Sequence, residues 1–243
     1  MVMNNQVVDY FQRIYIINLP ERTDRRAEMA AQLALIGLSL DNPKVHLFPA
    51  IKPIDAGEFE SIGARGCFYS HLAVLKDAKS RDLNRILIFE DDLNFSKDFL
   101  QRSDELLANL AQTNWDVFYG GCVIQEQTSP ADNQTIIEIP ATTSVMTTHF
   151  IGFQNEIISQ LVDFLELLLS RKNGDPRGGP MHVDGAYSWF RNLNPSYKTL
   201  ISTPEFGYQR SSRTDIYSLR WFDRTPIVST CVALLRQLKN RLR

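Results

Sequence analysis

Cysteine is scarce in this chain: Cys67, Cys122 and Cys231 are scattered, with no CxxC spacing. An odd, dispersed set of thiols speaks against a disulfide framework and against a zinc site, and fits a reducing compartment. No apolar run approaches the roughly 18–20 residues that a membrane span needs. The opening MVMNNQVVDYFQ has no basic stretch followed by a long apolar one, so no secretory signal is expected. Neither a GxGxxG turn nor a P-loop is present, which argues against a dinucleotide oxidoreductase and a P-loop NTPase. Repeats and low-complexity tracts are also missing, and glycine and proline gather only in Lys172–Pro180 (KNGDPRGGP), which reads as a mobile loop.

What the chain has is ordinary globular material. Of its 243 residues, 44% are apolar and 22% charged, enough for one large core and too apolar for disorder. The formal charge of −2 divides unevenly. Residues 225–243 hold four basic side chains (Arg236, Lys239, Arg241, Arg243) and no acid; taking that +4 from the net −2 leaves −6 on residues 1–224. A net basic excess found only at one end, on an acidic body, is not a general nucleic-acid-binding composition. In the tail, Val228, Val232, Leu235 and Leu238 fall near one helical face and the cations on another. Three readings stand for it: a helix on an anionic membrane surface, a terminal helix docked on the body with solvated arginines, or a flexible end.

Strand-like and helix-like segments alternate. Arg13–Leu19 and Arg85–Phe89 are short apolar runs that read as buried strands, and Val45–Phe48 is a weaker one. Helices are expected from a Thr23 cap to a stop at Gly37, from Gly66 through Ser70–Lys79, over Ser96–Leu110, and over Asn155–Ser170. Trp115–Tyr119 reads as a strand ending at Gly120-Gly121, and Thr135–Ile139 with Ser144–Phe150 as a hairpin about Pro140. Such an order favours an α/β/α sandwich with a mixed, mostly parallel sheet in one domain, residues 1–224, with 225–243 as a separate tail. Ligands in such folds bind beyond the carboxyl ends of the strands.

Two of those strand ends carry chemistry. In RILIFEDD (85–92) an apolar strand runs into Glu90, Asp91 and Asp92. Alternation along an extended chain places Glu90 and Asp92 on one side and Asp91 on the other. Two like carboxylates at a strand end suit a hard divalent cation such as Mg²⁺ or Mn²⁺; the alternative is a solvated acidic turn. In NLPERTDRR (18–26), Arg22, Arg25 and Arg26 open a helix, an arrangement suited to phosphate or to ordinary surface charge pairs.

Three blocks in this order, IYIINLPERTDRR (14–26), GCFYSHLAVLKDA (66–78) and RILIFEDDLNFSKDF (85–99), resemble glycosyltransferase family 25, the lipopolysaccharide and collagen galactosyltransferase group. Phe48-Pro49-Ala50 matches a step between the first two, and HVDGAYSWF (182–190) and PEFGYQRSSRTDI (204–216) are looser matches. TTHFIGF (147–153) departs from the family, in which an aromatic-rich step is expected there.

The resemblance implies a GT-A-like, Rossmann-like fold with a nucleotide-sugar-binding half (1–120) and an acceptor half (121–224). It implies UDP-galactose as donor with Mn²⁺ or Mg²⁺, and an inverting transfer. Glu90-Asp91-Asp92 then matches the DXD-type motif, with Asp92 the main metal ligand and Glu90 and Asp91 assisting. Asn18, Arg22, Arg25, Ser70 and His71 would line the donor side. An inverting transfer needs one carboxylate to take the acceptor proton, and Asp184, beside Tyr187-Ser188-Trp189-Phe190, is the choice; a helix cap is its alternative. His182 is a rival metal ligand or base, and His149 a weaker one. The acceptor would be a glycan of a lipopolysaccharide, lipid-linked in a cytoplasmic enzyme at the inner membrane face. Collagen-type hydroxylysine transfer, a non-catalytic nucleotide-sugar-binding scaffold and a metal-dependent phosphohydrolase are the competing readings.

Overall fold

A computed structural model describes residues 6–124 and 134–210. The basic tail, Cys231, the end of the 204–216 segment and the proposed boundary at residue 224 lie outside the described residues.

In chain order the elements are α1 (Gln6–Tyr10), β1 (Arg13–Asn18), α2 (Thr23–Leu35), β2 (Val45–Pro49), α3 (Ile62–Ser80), β3 (Arg85–Glu90), β4 (Leu93–Phe95) and α4 (Lys97–Gln112). Then follow β5 (Val117–Ile124), β6 (Ile136–Ile139), β7 (Val145–Gln154), α5 (Ile157–Leu169), α6 (Val183–Leu193), β8 (Thr199–Ser202) and β9 (Gly207–Gln209). Seven strands form one sheet in the order β2-β1-β3-β7-β5-β8-β6, and β4 pairs with β9 in a small second sheet. In the large sheet β2, β1, β3, β5 and β8 run one way and β7 and β6 the other, so it is mixed and mostly parallel, as expected.

Side-chain alternation on the buried strands builds two cores, one on each face. Tyr15 and Ile17 of β1, Ile86 and Ile88 of β3, and Ile151 and Phe153 of β7 pack with α3, α5 and α6. Ile14 and Ile16, Leu87 and Phe89, and Phe150 pack on the other face with α1, α2 and α4. Burial on both faces explains why β1 and β3 read as continuous apolar runs rather than alternating ones. The result is an α/β/α sandwich.

Several local expectations are corrected. Helix α3 begins at Ile62, with Ser61 Oγ accepting from Ala64 N at 3.0 Å. Gly66 is therefore inside the helix and not at its start: a Cβ there would meet the Ile51 carbonyl oxygen at 2.7 Å, so the glycine admits the 51–53 backbone. Thr23 is the first helical residue of α2, and Arg22 occupies the cap without a side-chain capping bond. Gly37 ends that helix as expected, at φ +69°.

β5 continues through Gly120-Gly121 to Ile124. β6 and β7 do not pair with each other: β7, buried along almost its whole length, lies between β3 and β5, while the half-exposed β6 pairs with β8 at the sheet edge. The 172–180 loop is folded back on itself, with Gly178, Gly179 and Pro180 buried and Arg171 Nη1 donating to the Gly178 carbonyl at 3.2 Å. Among the described residues, no helix is long and apolar enough to cross a membrane.

Candidate functional site

β1 and β3 are parallel neighbours in a register that sets Ile17 opposite Glu90, so Asn18 and the acidic turn Glu90–Asp92 emerge together at one carboxyl edge of the sheet. A cleft of about 270 Å³ opens there. Its apolar wall is formed by Ile17, Ala50, Ile51 and Gly66, and its polar floor by Arg25, Glu90, Asp91 and Asp92, with Gln209 and Arg210 at the far side.

The three carboxylates have different surroundings. The strand ends at Glu90, so simple alternation stops there and Asp91 reaches the cleft along with its neighbours, correcting the expectation that it points away. Asp91 accepts from Asn18 Nδ2 at 2.7 Å and from Arg25 Nη1 at 2.8 Å. Glu90 Oε1 accepts from Thr148 Oγ1 at 2.6 Å and stands 3.3 Å from His71 Nε2. Burial alone would raise the Glu90 carboxyl, but the bond and charge of His71 and the Thr148 hydroxyl outweigh it, and it is held below its usual value.

Asp92 goes the other way. Burial, and next the Glu90 carboxylate, raise it to about 7, with Arg25 at 3.5 Å and Gln209 Nε2 at 3.2 Å only partly offsetting them. Its Oδ1 is buried with no hydrogen-bond partner among the described residues. A buried acid oxygen facing two other carboxylates is a poor arrangement for the protein alone and a good one for an oxygen-seeking divalent cation.

Other expected residues divide between cleft and scaffold. Arg25, Ser70 and His71 line the cleft with the acidic turn. Ser70 Oγ donates to the Gly66 carbonyl at 2.7 Å and accepts from Ile51 N at 2.8 Å, which pins the apolar wall to α3. Arg22 is not on the cleft wall; its guanidinium forks onto Asp24 at 2.8–2.9 Å. His182 is not brought to the acidic turn either, because the start of α6 aims Nε2 at Glu60, 3.1 Å away. Asp184, on the first turn of α6, does not line the cleft. Its Oδ2 accepts from Thr147 N at 3.1 Å and its Oδ1 from Gly185 N at 2.8 Å. Thr147 sits at φ +70°, costly for a β-branched residue, so the Asp184 carboxylate holds a strained point of β7. His149 is buried, bonds the Gly207 carbonyl through Nε2 at 3.1 Å, and has its pKa lowered by burial.

Sequence reasoning did not single out Thr148, Gln209 or Arg210, and it placed Tyr187 beside Asp184 in an aromatic stretch, not against His71, where its hydroxyl lies 3.2 Å from Nδ1. Arg210 locks the acidic turn from outside: its N donates to the Asp92 carbonyl at 2.6 Å and its guanidinium to the Asp91 carbonyl and Asn94 Oδ1, each at 2.8 Å. The only signal for this pair was the loosely matching 204–216 segment that contains them. Cys67 lies on the cleft wall, with its thiol pushed well up by burial and then by the neighbouring carboxylates.

Residues 11–162 match the model for "Glycosyltransferase family 25 (LPS biosynthesis protein)". The mouse protein named "Inactive glycosyltransferase 25 family member 3" is 25% identical over 228 residues, which cover 80% of this chain and 37% of the relative. Procollagen galactosyltransferase 1-A of Xenopus laevis is 33% identical over 129 residues, 46% of this chain and 21% of the relative. This chain therefore spans well under two thirds of the length of these curated relatives. Among solved structures, a glycosyltransferase involved in glycosylation of the major capsid of PBCV-1 aligns at a TM-score of 0.44 and 12% identity, over 78% of this chain and 80% of that one. With more than half of its length matched by the family model, including the acidic turn and the arginine-bearing helix start, the chain belongs to glycosyltransferase family 25.

Proposed function

We propose that this chain transfers a hexose, galactose by the family resemblance, from a UDP-sugar to a glycan acceptor of the lipopolysaccharide type, with a divalent cation at the acidic turn. The observation that carries the reading is the orphaned, buried Oδ1 of Asp92 on the cleft at the carboxyl end of the β1–β3 pair. Asp92 would hold Mn²⁺ or Mg²⁺ with help from Glu90; bound there, the ion would supply charge neutralisation for a leaving nucleoside diphosphate. Arg25 and Asn18 fix Asp91, keeping the turn rigid and offsetting part of its charge. The apolar wall of Ile17, Ala50 and Ile51 suits the flat face of a base or sugar and excludes water.

Asp184 is the proposed base for the acceptor hydroxyl. Its carboxylate oxygens keep lone pairs beyond the two backbone bonds, and the helix it opens carries Tyr187, Trp189 and Phe190. A second reading, a nucleotide-sugar-binding protein without transferase activity, draws on the commitment of Asp184 to Thr147 and on relatives whose names call them inactive. A collagen-type acceptor draws on the procollagen galactosyltransferase relatives.

Calorimetry with UDP-galactose, with and without Mn²⁺, is the primary test. Metal-dependent binding that disappears in Asp92→Asn is expected; equal binding without metal, or in the variant, overturns the cation assignment. Asp184→Asn separates the two readings: retained donor binding with lost transfer supports a base, whereas unchanged transfer removes Asp184 from that role.

A further inference from the structure

Cys67 and His71 are four residues apart on α3, so one helix face carries both. The carboxylate of Glu90 reaches the same point from the end of β3. One sulfur, one imidazole nitrogen and one carboxylate oxygen from these residues all lie within 4.8 Å of one another. All three line the cleft, so the point is reached from solvent through it.

We propose that Cys67, His71 and Glu90 form a binding site for a soft divalent transition cation of the Zn²⁺ class, adjoining the hard-cation position at Asp92, with Glu90 between the two. The donor set argues for the class: thiolate and imidazole select zinc-like ions, whereas Mg²⁺ and Mn²⁺ prefer the all-oxygen surroundings of Asp92. Geometry argues for the site. His71 Nε2 and Glu90 Oε1 are 3.3 Å apart, long for a charge-assisted hydrogen bond. Two ligands about 2.0–2.1 Å from a tetrahedral zinc lie about 3.3 Å from each other, which is the separation already built here. The Cys67 side chain then has only to close on the same point, and the cleft supplies the fourth, open position.

An outer partner is also in place. His71 Nδ1 stands 3.2 Å from the buried Tyr187 hydroxyl, which fixes the ring with Nε2 turned toward Glu90. The cation occupies the space between Nε2 and the carboxylate, and both the Cys67 thiol proton and the Nε2 proton that bridges to Glu90 leave to solvent as the ion binds. The absence of CxxC spacing does not bear on this site, because its ligands come from an i,i+4 helix pair and a distant strand end. The inference stands independently of sugar transfer.

The test uses the full chain and Co²⁺ as the probe, since a cobalt–thiolate bond gives a near-ultraviolet charge-transfer absorption. Co²⁺ should produce that band and Zn²⁺ should bleach it. The band should vanish in Cys67→Ser, persist in Asp92→Asn, and require at least about tenfold more Co²⁺ in His71→Ala. In the wild-type chain, Zn²⁺ should slow alkylation of Cys67 but not of Cys122, a readout that needs no variant to fold. Absence of the band, its survival in Cys67→Ser, its loss in Asp92→Asn, or alkylation of Cys67 unaffected by Zn²⁺ would each overturn the assignment. Because no nucleotide or Mn²⁺ is used, failure here leaves the transferase reading untouched, and failure of that reading leaves this site untouched.

Discussion

Asp92 and Glu90 are two residues apart yet shifted in opposite directions, because burial and the Glu90 carboxylate raise Asp92 while bonds from His71 and Thr148 outweigh burial at Glu90. The Asp92 carboxyl, raised to about 7 by burial and by Glu90, holds a proton in the folded chain that the unfolded chain has already lost. More protons bound in the folded state means that stability falls as pH rises from about 4, the unfolded value, to about 7. A cation on Asp92 must displace that proton. Apparent Mn²⁺ affinity should therefore drop about tenfold per pH unit below about 7 and level off above it. Thermal denaturation with and without Mn²⁺ checks the same linkage: the shift should be larger near pH 7.5 than near about pH 5.5. A shift independent of pH would place the ion elsewhere. The three acids were legible in the sequence because an apolar strand runs straight into them. Their different environments were not, because Thr148 and Gln209 come from 58 and 117 residues away.

Elements were legible where the pattern is local. The faces of α2 and α4 follow from the spacing of Met29 and Leu33 and of Phe99, Leu106 and Leu110, and Ser96 caps α4 as a serine before a helical run should. Pairing is where local reading failed. Pro140 suggested a hairpin, but a ten-residue strand buried along most of its length belongs in the sheet interior, so β7 took the place between β3 and β5. Gly120-Gly121 suggested a strand end, yet the pair is there for close approach. A Cβ on Gly121 would stand 1.7 Å from the Gly207 carbonyl oxygen, a backbone atom of β9. Gly121→Ala should therefore force β9 away from β5 at a cost of about 3 kcal/mol, the upper range for overpacking, read as a lower midpoint in urea. Since β9 carries Gln209 and leads to Arg210, the variant should also weaken Mn²⁺ binding. A stable variant with unchanged Mn²⁺ affinity would show that β9 does not support the acidic turn.

The sheet joins parts of the chain that the sequence keeps far apart. The family match ends at residue 162, and the three main blocks that carry the resemblance end near residue 99. The later residues are as necessary to the fold. β8 (Thr199–Ser202) lies between β5 and β6, and its Leu200 and Ile201 contribute to both cores. α6 covers one sheet face with Ala186, Tyr187 and Phe190, and its buried Arg191 donates to Thr199 Oγ1 at 2.8 Å and to the Pro140 carbonyl at 3.0 Å. That network could not be read from periodicity, since it is set by which strand ends meet at the sheet edge. A chain ending at residue 170 keeps every residue of the family match but bares one edge of β5 and the face under α6. It should lack a cooperative calorimetric transition and self-associate through the unpaired strand. A sharp transition in that fragment, with Mn²⁺ binding retained, would instead make residues 11–162 an independent folding unit and α6, β8 and β9 an addition to it.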